Sequence, residues 1–157
     1  MNNRQSNHSI VKNIGLTLLS EGKTIRIKAH GYSMYPCVKP GSLILIEPLN
    51  IKGLPHKGEI VAIRREAGLI VHRLIKIIYK NGVMWYIARG DSNAYADNPV
   101  KIEKIAGRIV RAESTGENPV PADIRINTKP KYFINRIRVI VLLLTKKIQL
   151  TAKSAKM

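Results

Sequence analysis

Four side chains in this 157-residue sequence carry the chemistry of an activated nucleophile and its helpers: Ser33, His72, Asp91 and Asp97. Ser33 stands in His30-Gly31-Tyr32-Ser33-Met34-Tyr35-Pro36-Cys37. Gly31 permits backbone angles closed to other residues and Pro36 stops a helix, so an exposed, tight turn is expected around the serine. A serine hydroxyl barely ionises near neutral pH and needs a base to remove its proton as it attacks a carbonyl. His72, set in the apolar run Leu69-Ile70-Val71-His72-Arg73-Leu74-Ile75, is the candidate base, because an imidazole titrates near neutrality and can return the proton to a leaving amine. Asp91 and Asp97 lie in the turn-rich stretch 89–99, and a carboxylate that accepts from the second ring nitrogen would fix the tautomer and stabilise the imidazolium. His30 is a rival base that requires the loop to fold back sharply. Each residue also has a purely structural reading: a turn serine, a satisfied core histidine, two Asx-turn aspartates.

The elements that must position these groups are short. Ile10, Val11, Ile14, Leu18 and Leu19 recur at helical spacing between Ser9 and Leu19, with Gly22 closing the helix. Strands are expected over Thr24–Ala29, which alternates, and Leu43–Ile46, an apolar run bounded by Gly41 and Pro48. Glu59–Arg64, Leu69–Tyr79 and Val83–Arg89 follow, with Glu66-Ala67-Gly68 and Asn81-Gly82 as hairpin turns. A last strand is expected over Lys101–Glu113, interrupted at Gly107. The pattern predicts a mainly β fold: a small coiled antiparallel sheet or partly open β-barrel with short N-terminal and C-terminal helices. Four segments result: a disordered tail over 1–8, the β-domain with the candidate site over 9–113, a linker over 114–130 and a basic amphipathic segment over 131–157.

In that order the three site segments resemble the S24/S26 serine peptidase superfamily, which holds signal peptidase I and the LexA-type peptidases. Its Gly-x-Ser-Met-x-Pro box is similar to Gly31-Tyr32-Ser33-Met34-Tyr35-Pro36, and the Gly-Asp that follows it stands here as Gly41-Ser42. The Val-His-Arg pattern of the archaeal and endoplasmic-reticulum signal peptidases is matched by Val71-His72-Arg73, and the Gly-Asp-Asn-Asn box resembles Gly90-Asp91-Ser92-Asn93 followed by Asp97. Gly58-Glu59 replaces a further Gly-Asp, and Gly31 stands where many bacterial members carry an oxyanion-binding hydroxyl. The resemblance implies a LexA/signal-peptidase type fold and a serine endopeptidase with Ser33 as nucleophile and His72 as general base. It implies Asp97 as the partner of His72 and Asp91 as a group ordering the loop. It further implies substrates that are extended peptides or protein precursors, paired along a strand edge with small side chains beside the cleavage point.

The chain is long enough for one real core and too short for a second sizeable domain. Its 27 Lys and Arg against 10 Asp and Glu give a net charge of +17, which points to a polyanionic neighbour. Without a helix-turn-helix, zinc-finger or aromatic stacking motif, an anionic membrane surface is favoured over nucleic acid. Phe133, Ile137, Ile140, Val141, Leu144 and Ile148 repeat at helical spacing among Arg136, Arg138, Lys146 and Lys147. Two readings fit this segment: a basic helix lying on anionic lipid, or a helix docked on the sheet or on a partner. Cys37, the single cysteine, excludes an internal disulfide and reads as a packing residue, and no metal or cofactor is expected from four scattered histidines. The sequence shows no apolar signal-peptide core and no spanning run, so a cytoplasmic or peripheral membrane location is expected. The alternatives to an endopeptidase are a LexA-like self-cleaving protein, for which about two dozen residues before the first strand leave no room for a DNA-binding domain, and a non-catalytic basic β-domain binding anionic membrane or nucleic acid.

Overall fold

The computed structural model describes residues 14–49, 53–66, 68–113 and 131–154. The tail over 1–8, the linker over 114–130, Ala67 in the first hairpin turn and His8 lie outside the described residues. Residues 14–20 are helical (α1). Six strands follow: β1 (Ile25–Lys28), β2 (Leu43–Glu47), β3 (Ile60–Arg65), β4 (Gly68–Lys80), β5 (Val83–Arg89) and β6 (Ile105–Glu113). The long helix α2 (Tyr132–Ser154) ends the described chain. The strands form one antiparallel sheet in the order β1-β2-β6-β3-β4-β5, open at its two edges, so the fold is mainly β with a helix at either end.

Local chemistry explains the elements. β4 and β5 are joined by Asn81-Gly82, both at positive φ (52° and 74°), the backbone a two-residue hairpin needs to follow the twist of its strands. β3, the strand between β6 and β4, opens with the apolar run Ile60–Ile63 because both of its faces are covered there. Ile60 and Ala62 enter one core with Leu19, Ile25, Met34 and Ile44, while Val61 and Ile63 enter a second with Leu74, Tyr86 and Ala88. The sheet thus has two packed sides near its middle, and what faces which side decides where a polar group can go.

The last strand differs from the sequence expectation. Residues 102–104 form a 3₁₀ turn and β6 begins at Ile105; the strand continues through Gly107, but its pairing with β3 shifts register beside that glycine, where Ala62 faces Gly107 and Ile63 faces Ile105. Gly107 pairs with Ala62 of β3 and lies where the end of β2 presses closest. A Cβ there would run into the Glu47 carbonyl oxygen and lie 2.9 Å from Ile46 Cγ2, so the glycine also meets a close-packing requirement. We expect Gly107→Ala to destabilise the fold by about 1–3 kcal/mol through overpacking. Thermal or denaturant unfolding checks this, and an unchanged midpoint would contradict it.

Candidate active site

Ser33 sits in the loop that joins β1 to β2. Ala29 N–H to the Ser42 carbonyl (2.7 Å) and Gly41 N–H to the Ala29 carbonyl (2.9 Å) close the loop at its base. Gly31 supplies a φ of 79°, and the chain then coils through Tyr35 N–H to Tyr32 O and Val38 N–H to Met34 O. Met34 and Val38, four residues apart in that coil, are both buried and anchor the loop in the first core. Ser33 itself is half-buried at the start of the coil.

His72 is buried in the middle of β4, paired with Val61 of β3. Its Nδ1–H donates to Asp97 Oδ2 at 2.6 Å, and Asp97 is held in turn by its own N–H to the Ala88 carbonyl. An ionised carboxylate only accepts, so this contact puts the ring proton on Nδ1 and leaves the lone pair of the neutral imidazole on Nε2.

The next residue in β4, Arg73, is buried on the opposite face and was given no role from the sequence. Its Nε and Nη2 form a bidentate pair with Asp91 at 2.8 and 2.7 Å. Nη1 donates to the Gly58 carbonyl, and Nη2 lies 3.5 Å from Cys37 Sγ in the Ser33 loop. Burial opposes the guanidinium charge, but the hydrogen bonds and charge of Asp91 outweigh it, and the pKa of Arg73 moves up. An arginine inside an apolar strand signals a buried carboxylate partner, which was the available clue. Glu59, in place of the family's aspartate, takes Arg108 at 3.0 Å. Cys37 packs against the first core and His30 is exposed.

Two contacts fasten the Ser33 loop to the loop after β5. Ser92 N–H donates to the Ser33 carbonyl (2.9 Å), and Ser92 Oγ–H to the Tyr32 carbonyl (2.6 Å). Gly90 makes this approach possible. β5 ends at Arg89, which pairs with Arg73, and Gly90 opens the loop that follows. A Cβ at residue 90 would lie 2.8 Å from the Ser33 carbonyl oxygen and 2.8 Å from the Asn93 side chain. The Ser33 backbone therefore occupies the space that a side chain at position 90 would fill.

The sequence model of the Peptidase S24-like family matches residues 4–110, more than half of the chain. The chain belongs to the Peptidase S24-like family. Among curated proteins none gives a match. Membership supports a peptidase, acting on another chain or on itself as LexA-like proteins do, and the matched span includes all four candidate residues. Among the described residues, no group of three His, Cys, Asp or Glu side chains could hold a metal ion.

Two variants test the architecture of the candidate site. Asp91→Ala strands a buried guanidinium and is expected to cost about 3–5 kcal/mol in unfolding free energy; a loss below about 1 kcal/mol would contradict the organising role of the pair. Gly90→Ala is expected to displace the Ser33 loop, read as a chemical-shift change centred on residues 32–34 and 92 in amide NMR spectra. Unchanged resonances there would show that the two loops are not in contact.

Proposed function

We propose that this S24-like protein is a serine endopeptidase of the signal-peptidase-like type that cleaves a peptide or protein precursor, with Ser33 as nucleophile, His72 as general base and Asp97 as the group that orients His72. The observation that supports this reading best is the 2.6 Å Asp97–His72 contact, in a chain whose Ser33 loop is fastened to the loop after β5 at Gly90 and Ser92. In this reaction the Ser33 oxygen bonds to the scissile carbonyl carbon as its proton passes to His72 Nε2. The C–N bond then breaks with that proton going to the amine, and water repeats the sequence on the acyl-enzyme. Asp97 stabilises the imidazolium formed in each half. The Ser33 backbone N–H is the proposed oxyanion donor, since Gly31 offers no side chain for that purpose. Asp91 acts through Arg73 as a positioning residue.

Cleavage of a library of extended peptides with Ala at the cleavage point, read by mass spectrometry, tests the assignment. Ser33→Ala and His72→Ala are each expected to lower cleavage by at least on the order of 1,000-fold, and Asp97→Asn by a similar factor through the wrong tautomer. Full activity in Ser33→Ala or His72→Ala would overturn it. Concentration-independent truncation of the wild-type chain, abolished by the same substitutions, would assign the same pair to self-cleavage.

A further inference from the structure

Helix α2 has two faces with different fates. Tyr132, Asn135, Val139 and Leu142 follow a helical stripe and are the residues of α2 that the domain covers. Asn135 is buried and its Nδ2–H donates to the Asp91 carbonyl at 3.0 Å. The Arg89 guanidinium stacks 3.8 Å above the Tyr132 ring, and Lys146 on the same stripe donates to the Tyr32 hydroxyl at 2.6 Å. Burial raises the Tyr132 phenol pKa, with the Asp91 charge adding to it. The helix is thus clamped at one point beside Asp91 and at another beside the residue that precedes Ser33.

The other face is apolar and uncovered. Phe133, Ile137, Ile140, Val141, Leu144 and Ile148 lie within a stripe on the side away from Asn135 and Lys146, and all are exposed, Phe133 at 77% and Ile148 at 65%. At about 100° per residue, Arg136 and Lys147 fall along one edge of that stripe and Arg138 along the other. α2 contains no Asp or Glu. At its N-terminal end the stripe opens into a groove lined by Arg89, Lys131, Tyr132, Phe133, Ile134 and Arg136, where cations and apolar side chains meet. Among the described residues, no helix is long and apolar enough to cross a membrane.

We propose that α2 is an interfacial anchor: its outward stripe sinks into the acyl boundary of an anionic bilayer while Lys131, Arg136, Arg138 and Lys147 engage lipid phosphates. A row of apolar side chains bordered by cations on both edges fits the headgroup level, where apolar burial and attraction to anionic lipid act together. A second copy of the chain is disfavoured as the occupant, because each copy brings a net charge of +17 and the same basic borders. The inward clamps give the anchor a consequence: a bilayer bound by α2 also fixes the orientation of the Ser33 loop through Lys146 and Tyr32.

Flotation of the full chain with vesicles of phosphatidylcholine containing phosphatidylglycerol, against pure phosphatidylcholine, tests the proposal. Wild type is expected to float with the anionic vesicles and to lose binding as salt is raised. Ile137→Gln/Leu144→Gln/Ile148→Gln, confined to exposed positions, is expected to weaken binding about tenfold or more, and Arg136→Glu/Lys147→Glu to remove the preference for anionic lipid. Ser33→Ala is expected to bind as wild type does, so loss of peptidase activity and loss of anchoring are read separately. No flotation of wild type at low salt, or equal flotation of the triple variant, would overturn the proposal. So would a wild-type dimer in sedimentation that the triple variant dissociates, or capture by an acidic protein through the same stripe without lipid binding.

Discussion

The fold around the candidate site depends on one buried ion pair. Arg73 and Asp91 are both almost fully removed from water, and neither charge is tolerable there without the other. Their cross-connections reach every segment that matters: Gly58 before β3, Cys37 in the Ser33 loop and, through the Asp91 carbonyl, Asn135 of α2. The pair lies on the first-core side of β4. Its neighbour His72 is directed to the other side by the alternation of a strand, so one strand carries the organising charge and the candidate base on opposite faces.

Gly90 lets the Ser33 loop come up against the loop that follows β5. The Ser33 loop is rooted in the first core by Met34 and Val38, and its Ser33 carbonyl fills the space that a side chain at position 90 would take. Ser92 then fastens the loop with hydrogen bonds to the Tyr32 and Ser33 carbonyls. Gly90-Asp91-Ser92-Asn93 therefore divides its labour within four residues: room for the Ser33 loop, a partner for Arg73, a double fastener, and Asn93, whose carbonyl takes Arg89.

Much of this was legible in the residues. Period-two alternation and turn chemistry located all six strands to within a residue or two at most ends, since short strands bounded by Gly, Pro and Asn-Gly leave little freedom. β6 was the exception at its start, where residues 102–104 form a 3₁₀ turn, and the close approach of β2 at Gly107 is something only tertiary packing defines. The contacts of Asp97 and Asp91 depend on which face each loop presents, something spacing alone does not encode. The histidine beside Arg73 masks its role in the sequence, and both readings of α2 fit the sequence because its periodicity reports an apolar stripe without saying which side the domain takes.

The proposed reaction requires Asp97 to hold the His72 proton on Nδ1, so that Nε2 is the basic nitrogen that serves Ser33. Nitrogen-15 NMR of the imidazole rings, with His72 assigned by substitution among the four histidines, measures this directly. The expected result, at a pH where the ring is neutral, is a proton on Nδ1, lost as a defined tautomer in Asp97→Asn, and an Nε2 resonance that moves when Ser33 is replaced by Ala. A neutral ring protonated on Nε2, or an Nε2 resonance indifferent to Ser33, would contradict it.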